Sequence, residues 1–183
     1  EKIFNLLISL IKYEISDKLF KECRNLKKII IPSSVKLICN ECFYNCSSLI
    51  EVTIPSSVTS IENKSFYGCK NLKQISIPSS VTSIGYECFR YCYSLKEVTI
   101  PSSVISVRLQ VFDSCISLQH FSIPSSLTSI AGSFFCHCSS LSHITIPSSI
   151  KSIESYAFYG CSKLKEIEIP SSVNLIGDSA FGN

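Results

Sequence analysis

Residues 72–92 read Leu-Lys-Gln-Ile-Ser-Ile-Pro-Ser-Ser-Val-Thr-Ser-Ile-Gly-Tyr-Glu-Cys-Phe-Arg-Tyr-Cys. The pattern L-x-x-I-x-I-P-S-S-V-x-x-I-x-x-x-x-F-x-x-C recurs along the 183-residue chain, and proline marks each copy because successive prolines are always 23 residues apart. The seven prolines are Pro32, Pro55, Pro78, Pro101, Pro124, Pro147 and Pro170. An internal period of this length is typical of solenoids, in which each repeat is one structural unit that stacks on the next.

The period defines a single repeat domain over residues 1–183. Six complete repeats fill 31–168, and each begins at the isoleucine that precedes a proline. A degenerate repeat occupies 8–30, and a truncated repeat occupies 169–183. This length suits one domain, since domains usually contain ~100–200 residues.

Both ends of the array are expected to need a cover, because the terminal turns of a solenoid expose core residues and strand edges. The apolar segment 3–11 lacks the basic region and small-residue cleavage site of a signal peptide, so we expect a terminal coil that covers the first edge. The last repeat stops at Asn183, before its cysteine and leucine positions. We therefore expect further repeats or a cap beyond it, or end-to-end self-association of two copies.

Equivalent positions of successive repeats carry the same apolar residue, which predicts a continuous core. The most distinctive column is Phe20, Phe43, Phe66, Phe89, Phe112, Phe135, Phe158 and Phe181. A leucine column and two isoleucine columns accompany it. One repeat cannot bury these side chains alone, but stacked repeats can, and each large apolar side chain then contributes ~1.5–3 kcal/mol.

Each repeat is predicted to contain one strand immediately before its proline. Apolar Val52 and Ile54 alternate with polar Glu51 and Thr53, and such alternation is typical of a strand with one buried side. The apolar pair should point into the core and the polar pair into solvent. Pairing should stop at Pro55, which has no N–H to donate. Neighbouring strands should stack in parallel, ~4.8 Å apart.

The rest of each repeat is predicted to consist of turns. The two serines after each proline can bond to nearby backbone groups and form a turn. The stretch around Phe66 and Cys69 is too short for a long helix, so we expect one helical or 3₁₀ turn there. The predicted fold class is an α/β solenoid that is rich in β-structure, with short helical or 3₁₀ turns and 23-residue repeats.

The pattern from Leu72 to Cys92 resembles the BspA-type leucine-rich repeat, and the resemblance extends over residues 8–183. The spacing and the proline, phenylalanine, cysteine and leucine columns all agree with it. Only the first repeat departs, since it lacks proline and has Lys12 where later repeats have an aliphatic residue. The resemblance implies a right-handed leucine-rich-repeat horseshoe without catalytic residues. It also implies surface proteins of bacteria and parasitic protozoa that adhere to host or matrix proteins.

Seven of the eleven cysteines form a repeat column, and we favour buried free thiols there over disulfides. Parallel stacking holds successive Cβ atoms about one strand spacing apart, beyond the ~3.8 Å that a disulfide prefers. The other four are Cys39, Cys42, Cys88 and Cys136. Zinc at Cys39-x-x-Cys42 or at Cys136-His137-Cys138 is an alternative, but a structural zinc site needs four convergent ligands, and packing in a column of small residues explains Cys42 and Cys88.

The outward side of the predicted strands is the candidate binding surface, since solenoids bind through their concave surface. It consists of Glu51, Thr53, Gln74, Ser76, Glu97, Thr99, His120, Ser122, His143, Thr145, Glu166 and Glu168. In one column Glu97 and Glu166 flank His120 and His143. A solvated polar stripe without a metal is the preferred interpretation. The alternative is a divalent-metal site at His120, His143 and Glu166, or pH-sensitive ligand binding.

The sequence favours a non-catalytic module without a cofactor. The net charge of +3 is too small to indicate nucleic-acid binding, and no apolar run approaches the ~18 residues of a membrane span. No nucleophile elbow, Walker loop or zinc-protease motif occurs. From the resemblance we expect a protein-binding or adhesion module, at the cell surface or secreted, with a protein or extracellular-matrix ligand. The alternative is a cytoplasmic scaffold for protein–protein interactions.

Overall fold

The computed structural model describes Ile11 and residues 13–182. This part of the chain is a parallel β-solenoid with a 23-residue repeat and mostly two short strands per repeat. The strands are β1 (Glu14–Ile15), β2 (Lys28–Ile30), β3 (Leu37–Ile38), β4 (Glu51–Thr53), β5 (Ser60–Ile61), β6 (Gln74–Ser76), β7 (Ser83–Ile84), β8 (Glu97–Thr99), β9 (Ser106–Val107), β10 (His120–Ser122), β11 (Ser129–Ile130), β12 (His143–Thr145), β13 (Ser152–Ile153) and β14 (Leu175–Ile176). The expectations for segment 3–10, Lys12 and Asn183 concern residues outside this description.

Two rows of strands run along the solenoid. The three-residue strands form the first row, with parallel ladders in the pairs β2–β4, β6–β8 and β10–β12. The two-residue strands form the second row, in a five-stranded sheet from β1 to β9 and a three-stranded sheet of β11, β13 and β14. In each ladder a residue lies opposite the residue 23 positions along, as Gln74 does with Glu97. The predicted parallel stacking is confirmed.

Burial alternates along the first row as predicted. In β4 and β8 the central residues Val52 and Val98 are buried, and the residues on either side are exposed. Ile54, two residues beyond Val52, is buried as well. The inward and outward assignments are therefore confirmed in these strands. Residues 166–168, which should continue the row, form no strand.

The second row of strands was not predicted from the sequence. A strand such as β5 has two residues, too few to show a period-2 pattern. Its inward residue, Ile61, is fully buried and belongs to an isoleucine column, as does Ile84 in β7. One buried residue per repeat identifies a core position, but it does not distinguish a strand from a turn.

The recurrent Pro-Ser-Ser sequence forms the turn between the two rows. The Val81 N–H donates to the Pro78 carbonyl at 3.0 Å, which closes one such turn. The Ser80 hydroxyl donates to the carbonyl of Val58 in the preceding repeat, and Ser103 donates to Val81 in the same way at 2.8 Å. The second serine of the motif therefore joins consecutive repeats, which gives it a structural role.

The stretch around Phe66 and Cys69 is a series of turns, not the predicted helical or 3₁₀ turn. No helix occurs among the described residues, and so none of them forms one that could cross a membrane. The backbone N–H groups of this stretch donate alternately to a carbonyl within the same turn and to a carbonyl of the next repeat. The Cys69 N–H donates within the turn to Phe66 at 3.2 Å, whereas the Phe66 N–H donates to Cys88 of the next repeat at 3.0 Å. A helix would need both N–H groups to bond within the segment.

Backbone conformation gives the physical reason for the missing helix. Two positions in the turns have a positive φ, which interrupts a right-handed helix. The first column is Lys18, Glu41, Lys64, Glu87, Gln110, Ser133, Tyr156 and Ser179, and the second is Glu22, Asn45, Gly68, Tyr91, Ser114, His137 and Gly160. Most of these residues are not glycine, so each bears the ~1–2 kcal/mol cost of a left-handed conformation. Hydrogen bonds to the next repeat offset that cost.

The phenylalanine column is a stack of rings through the core. Phe89 is fully buried, and its ring centroid lies 5.5 Å from that of Phe66 and 5.4 Å from that of Phe112. The three rings are nearly parallel, with interplanar angles of 5° and 4°. The predicted core column is confirmed, and each ring contacts its equivalents in both neighbouring repeats.

Phe89→Ala is expected to lower the free energy of unfolding by ~3–5 kcal/mol, because it removes a fully buried ring and leaves a cavity in the stack. Thr99→Ala is the matched control, since Thr99 is exposed at the end of β8 and its loss should change stability by no more than ~0.5 kcal/mol. Urea titration followed by circular dichroism measures both values. Equal losses in the two variants would contradict the assignment of inward and outward positions.

Candidate binding face

The twelve residues predicted as a binding surface lie along one side of the solenoid, here called the strand face. Ten of them are the outward residues of β4, β6, β8, β10 and β12, and all ten are exposed. The other two, Glu166 and Glu168, are also exposed but lie beyond β12 in a segment without a strand. The first row of strands therefore positions most of the strand face on a regular backbone.

Three hollows follow one another along the strand face, and each of the twelve residues lines at least one of them. The first lies over β4 and β6, the central one over β8, β10 and β12, and the third between β12 and residues 166–170. The first and central hollows share Glu97 and Thr99, and the central and third share His143 and Thr145. The hollows thus form one continuous groove.

His120 and His143 stand side by side in the central hollow. They are directly opposite each other in the β10–β12 ladder, with ring centroids 5.9 Å apart and a 31° angle between the rings. Nδ1 of His143 lies 3.1 Å from the Ser142 hydroxyl oxygen. In the part of the chain that the structure describes, no three His, Cys, Asp or Glu side chains are grouped to hold a metal ion. The alternative metal site at His120, His143 and Glu166 stays a prediction.

Carboxylates dominate the charge of the strand face. Glu51 forms an ion pair with Lys28 of the preceding strand at 2.7 Å, but both side chains are more than half exposed, so the pair contributes at most ~1 kcal/mol. Glu97, Glu166 and Glu168 take part in no ion pair with other described residues. The groove therefore presents carboxylates that are free to accept hydrogen bonds from a ligand.

A cluster of buried charges lies in the turns, away from the strand face. The side chains of Glu87 and Asp113 are only 5% and 4% exposed. Arg90 pairs with both, through Nη1 at 2.7 Å from Glu87 and Nε at 3.0 Å from Asp113, although the second contact lacks hydrogen-bond geometry. Lys64 lies 3.2 Å from Glu87. Because a buried carboxylate is costly without its partner, we interpret these four residues as one structural unit.

Tyrosines and cations cover the same turns, and their ring faces are occupied. Tyr44 and Tyr67 stack with centroids 4.7 Å apart, and Tyr91 meets Tyr67 edge-on at 5.2 Å. Nζ of Lys21 lies 4.7 Å from the centre of the Tyr44 ring. Burial raises the pKa of Tyr67 to about 12. Because these rings contact one another and the cation, they stabilise the turns and leave little free aromatic surface.

The cysteine column has a structural role. All eleven cysteines are free thiols in this structure. The Cys92 thiol donates to the Phe66 carbonyl at 3.2 Å, and the Cys115 thiol donates to the Phe89 carbonyl at the same distance. A thiol is a weak donor, but it is small enough for the core and still bonds to a backbone carbonyl of the preceding repeat.

Among the described residues, no group of three His, Cys, Asp or Glu side chains surrounds Cys39 and Cys42 or Cys136 and Cys138. Cys42 is fully buried in the core, and burial raises its pKa well above the usual value of a thiol. Burial also raises the pKa of Cys39 and of Cys136 to about 11. A thiol must lose its proton to bind zinc, so these environments oppose metal binding.

Cys23 is expected to be the one thiol that reacts rapidly with a disulfide reagent at pH 8 in the folded protein. It is the only cysteine that is not buried. Partial burial raises the pKa of Cys23 as well, so its accessibility, and not a low pKa, is the reason that it reacts first. Titration with Ellman's reagent should show one fast thiol, and all eleven in urea. Cys23→Ser should remove the fast phase, whereas Cys115→Ser should keep it. Several fast thiols in the folded protein would contradict the burial of the column.

Comparison with known families and structures agrees with this architecture. A family model described as "BspA type Leucine rich repeat region", with six copies, matches residues 13–142 and 83–183. No curated protein sequence matches. The chain is similar to a leucine-rich repeat protein of Bacteroides ovatus, with 37% identity and a TM-score of 0.88 over 91% of this chain and 43% of that one.

Two further solved structures show the same fold. A leucine-rich repeat protein of Eubacterium ventriosum is 32% identical, with a TM-score of 0.73 over 85% of this chain and 42% of that one. The T. pallidum leucine-rich repeat protein is 27% identical, with a TM-score of 0.79 over 84% of this chain and 72% of that one. The chain therefore spans less than half the length of the Bacteroides ovatus and Eubacterium ventriosum proteins.

Proposed function

Since the chain belongs to the BspA-type leucine-rich repeat family, we propose that it is a non-catalytic binding or adhesion module whose strand face contacts a host, matrix or other protein partner. The observation that carries this proposal is the continuous groove, which all twelve residues of the strand face line. Ten of these residues point outward from the strands, and the same side of the solenoid is indented.

The construction of the strand face supports a binding role. Its ten strand residues stand on three short parallel ladders whose inward residues, such as Val52 and Val98, are buried in the core. A site on regular strands is held more rigidly than one on loops, so little conformational entropy is lost when a partner binds. The polar residues of the face are exposed and contribute little to stability, which leaves their identity available for recognition.

A location at the cell surface or outside the cell is part of this proposal, because the family resemblance implies surface proteins. The alternative is a cytoplasmic scaffold that uses the same strand face. The two differ in what accompanies the repeats in the full-length gene. A secretion signal or membrane anchor supports the first, and a cytosolic fusion domain supports the second.

End-to-end self-association is a second element of the proposal. Ile169, Leu175, Ile176 and Phe181 are exposed in the last described turn, and β14 is the edge strand of its sheet. Exposed apolar groups on a strand edge favour association. Sedimentation velocity should show a dimer at high concentration that Leu175→Lys removes. A monomer at every concentration would contradict this element and leave the strand face unaffected.

Charge reversal in the groove tests the main proposal. Glu97→Lys combined with Thr99→Lys should reduce binding to an immobilised layer of extracellular-matrix proteins at least tenfold, which corresponds to ~1.4 kcal/mol, because both side chains line two of the hollows. Thr59→Lys combined with Thr82→Lys is the matched control, since these residues lie outside the strand face beside the second row. Biolayer interferometry measures both. No binding by the unmodified protein, or an equal loss in the control, would contradict the proposal.

A further inference from the structure

We propose that the strand face recognises a neutral glycan chain that lies along the axis of the solenoid. This inference rests on the proposed function, because it uses the same groove, and it names the chemistry by which a glycosylated partner is bound. Four features carry it: unpaired hydroxyl groups, the groups beside them, the spacing of both, and the residue types that the groove lacks.

One column of the strand face is a row of hydroxyl groups without partners. It contains Thr53, Ser76, Thr99, Ser122 and Thr145. All five residues are exposed, and among the described residues none of their hydroxyls takes part in a hydrogen bond. Each hydroxyl can donate one hydrogen bond and accept two. The row therefore offers at least five donors and their acceptors to a ligand.

Hydroxyl groups elsewhere in the same repeats are used differently. Thr59 donates to the Lys36 carbonyl at 3.2 Å, and Thr82 donates to the Thr59 carbonyl at 3.4 Å. The second serine of most Pro-Ser-Ser turns bonds to the preceding repeat, as Ser103 does, and Ser149 is the exception. Threonine and serine in those columns have a structural role, whereas the row on the strand face makes no contact that stabilises the fold.

A second column beside the hydroxyl row supplies the other groups that bind sugars. It contains Glu51, Gln74, Glu97, His120, His143 and Glu166. Carboxylates accept hydrogen bonds from two hydroxyls, amides both donate and accept, and a neutral imidazole does one of each. A chain of sugar hydroxyls needs donors and acceptors together. The two columns provide both along the whole groove.

The spacing of these columns favours a sugar chain over an extended peptide. Paired strands are ~4.8 Å apart at the backbone, so residues opposite each other in a ladder, such as Gln74 and Glu97, repeat at about that distance. An extended peptide along the axis presents equivalent groups every two residues, ~6.6 Å apart, and loses register with the columns within a few repeats. The length of one sugar unit in an extended chain is close to the strand spacing. Because successive units of a β-1,4-linked chain alternate in orientation, such a glycan places equivalent hydroxyls over every second repeat.

The groove also lacks the residues that usually anchor a protein partner. None of the twelve strand-face residues is Trp, Tyr, Phe or Arg, although Trp, Tyr and Arg dominate the binding energy of protein interfaces. Phe121 lines the central hollow but is only 6% exposed. The tyrosines with occupied ring faces lie in the turns. Glu97, Glu166 and Glu168 have no ion-pair partner among the described residues, so they repel sulfated or uronic-acid chains. The expected ligand is therefore a neutral glycan.

Titration calorimetry with defined oligosaccharides tests the inference. The probes are cellohexaose, chitohexaose, mannohexaose and their trisaccharides, with a heparin oligosaccharide as the anionic comparison. At least one neutral hexasaccharide should bind, and its trisaccharide should bind at least tenfold more weakly because it spans fewer repeats. Thr99→Val combined with Ser122→Ala should weaken the hexasaccharide at least tenfold, since these changes remove hydroxyls and nearly preserve side-chain shape. Thr59→Val combined with Thr82→Val, which removes hydroxyls outside the groove, should change it less than twofold.

Several outcomes would overturn the inference. These are no binding of any neutral hexasaccharide, unchanged binding in the Thr99→Val and Ser122→Ala variant, or preference for heparin.

A matrix layer treated with glycosidases separates this inference from the proposed function. Lost binding to the treated layer supports recognition through a glycan. If binding survives treatment but is still lost in the Glu97→Lys and Thr99→Lys variant, the groove binds protein and the glycan inference is wrong. Circular dichroism and thermal melting confirm that each variant is folded.

Discussion

The rest of the structure depends on hydrogen bonding between residues about one 23-residue repeat apart. The Pro-Ser-Ser turn, the far turns and both rows of strands all send backbone or side-chain groups to the neighbouring repeat, as Ser103 does to Val81 and Phe66 does to Cys88. A single repeat leaves these groups without partners, and unpaired buried polar groups are costly. Stacking therefore satisfies the backbone and buries the core at once, and neither is achieved by one repeat alone.

This constraint determines which side chains can follow one another in a column. A residue must be compatible with its equivalent about one strand spacing away. Phenylalanine stacks on phenylalanine, and the Asn63 amide donates to Asn40 at 3.0 Å and accepts the Tyr86 N–H at the same distance. In one column of the turns charges of opposite sign follow each other, and Lys64 lies 3.2 Å from Glu87 of the next repeat. The strand face differs from these columns, because its hydroxyls and most of its carboxylates do not contact each other and remain available to a ligand.

Much of the fold and of the strand face could be predicted from the sequence, because the same pattern recurs in several repeats. The prolines and the Phe89 column identified the period and the core, and alternation around Val52 identified the outward residues that line the groove. The second row of strands could not be predicted, since a strand of two residues such as Ser60–Ile61 is too short to show alternation of apolar and polar residues. The expected helical turn around Phe66 was wrong because its N–H groups bond to the next repeat, and single-repeat propensity does not show this. The Arg90 cluster was missed because its four members are spread over three repeats and share no motif.

The fold and the groove both depend on the register of 23 residues per turn, and distances between spin labels can measure this register. Nitroxide-bearing amino acids placed at Thr53 and Thr145, four repeats apart in one exposed column, should give a narrow distribution near ~19 Å, which is four strand spacings. Moving the first label to Ile30, one repeat earlier and also exposed, should lengthen the distance by about one further spacing of ~4.8 Å. Broad distributions, or a change that does not match one strand spacing, would contradict the stacking on which the fold and the groove depend.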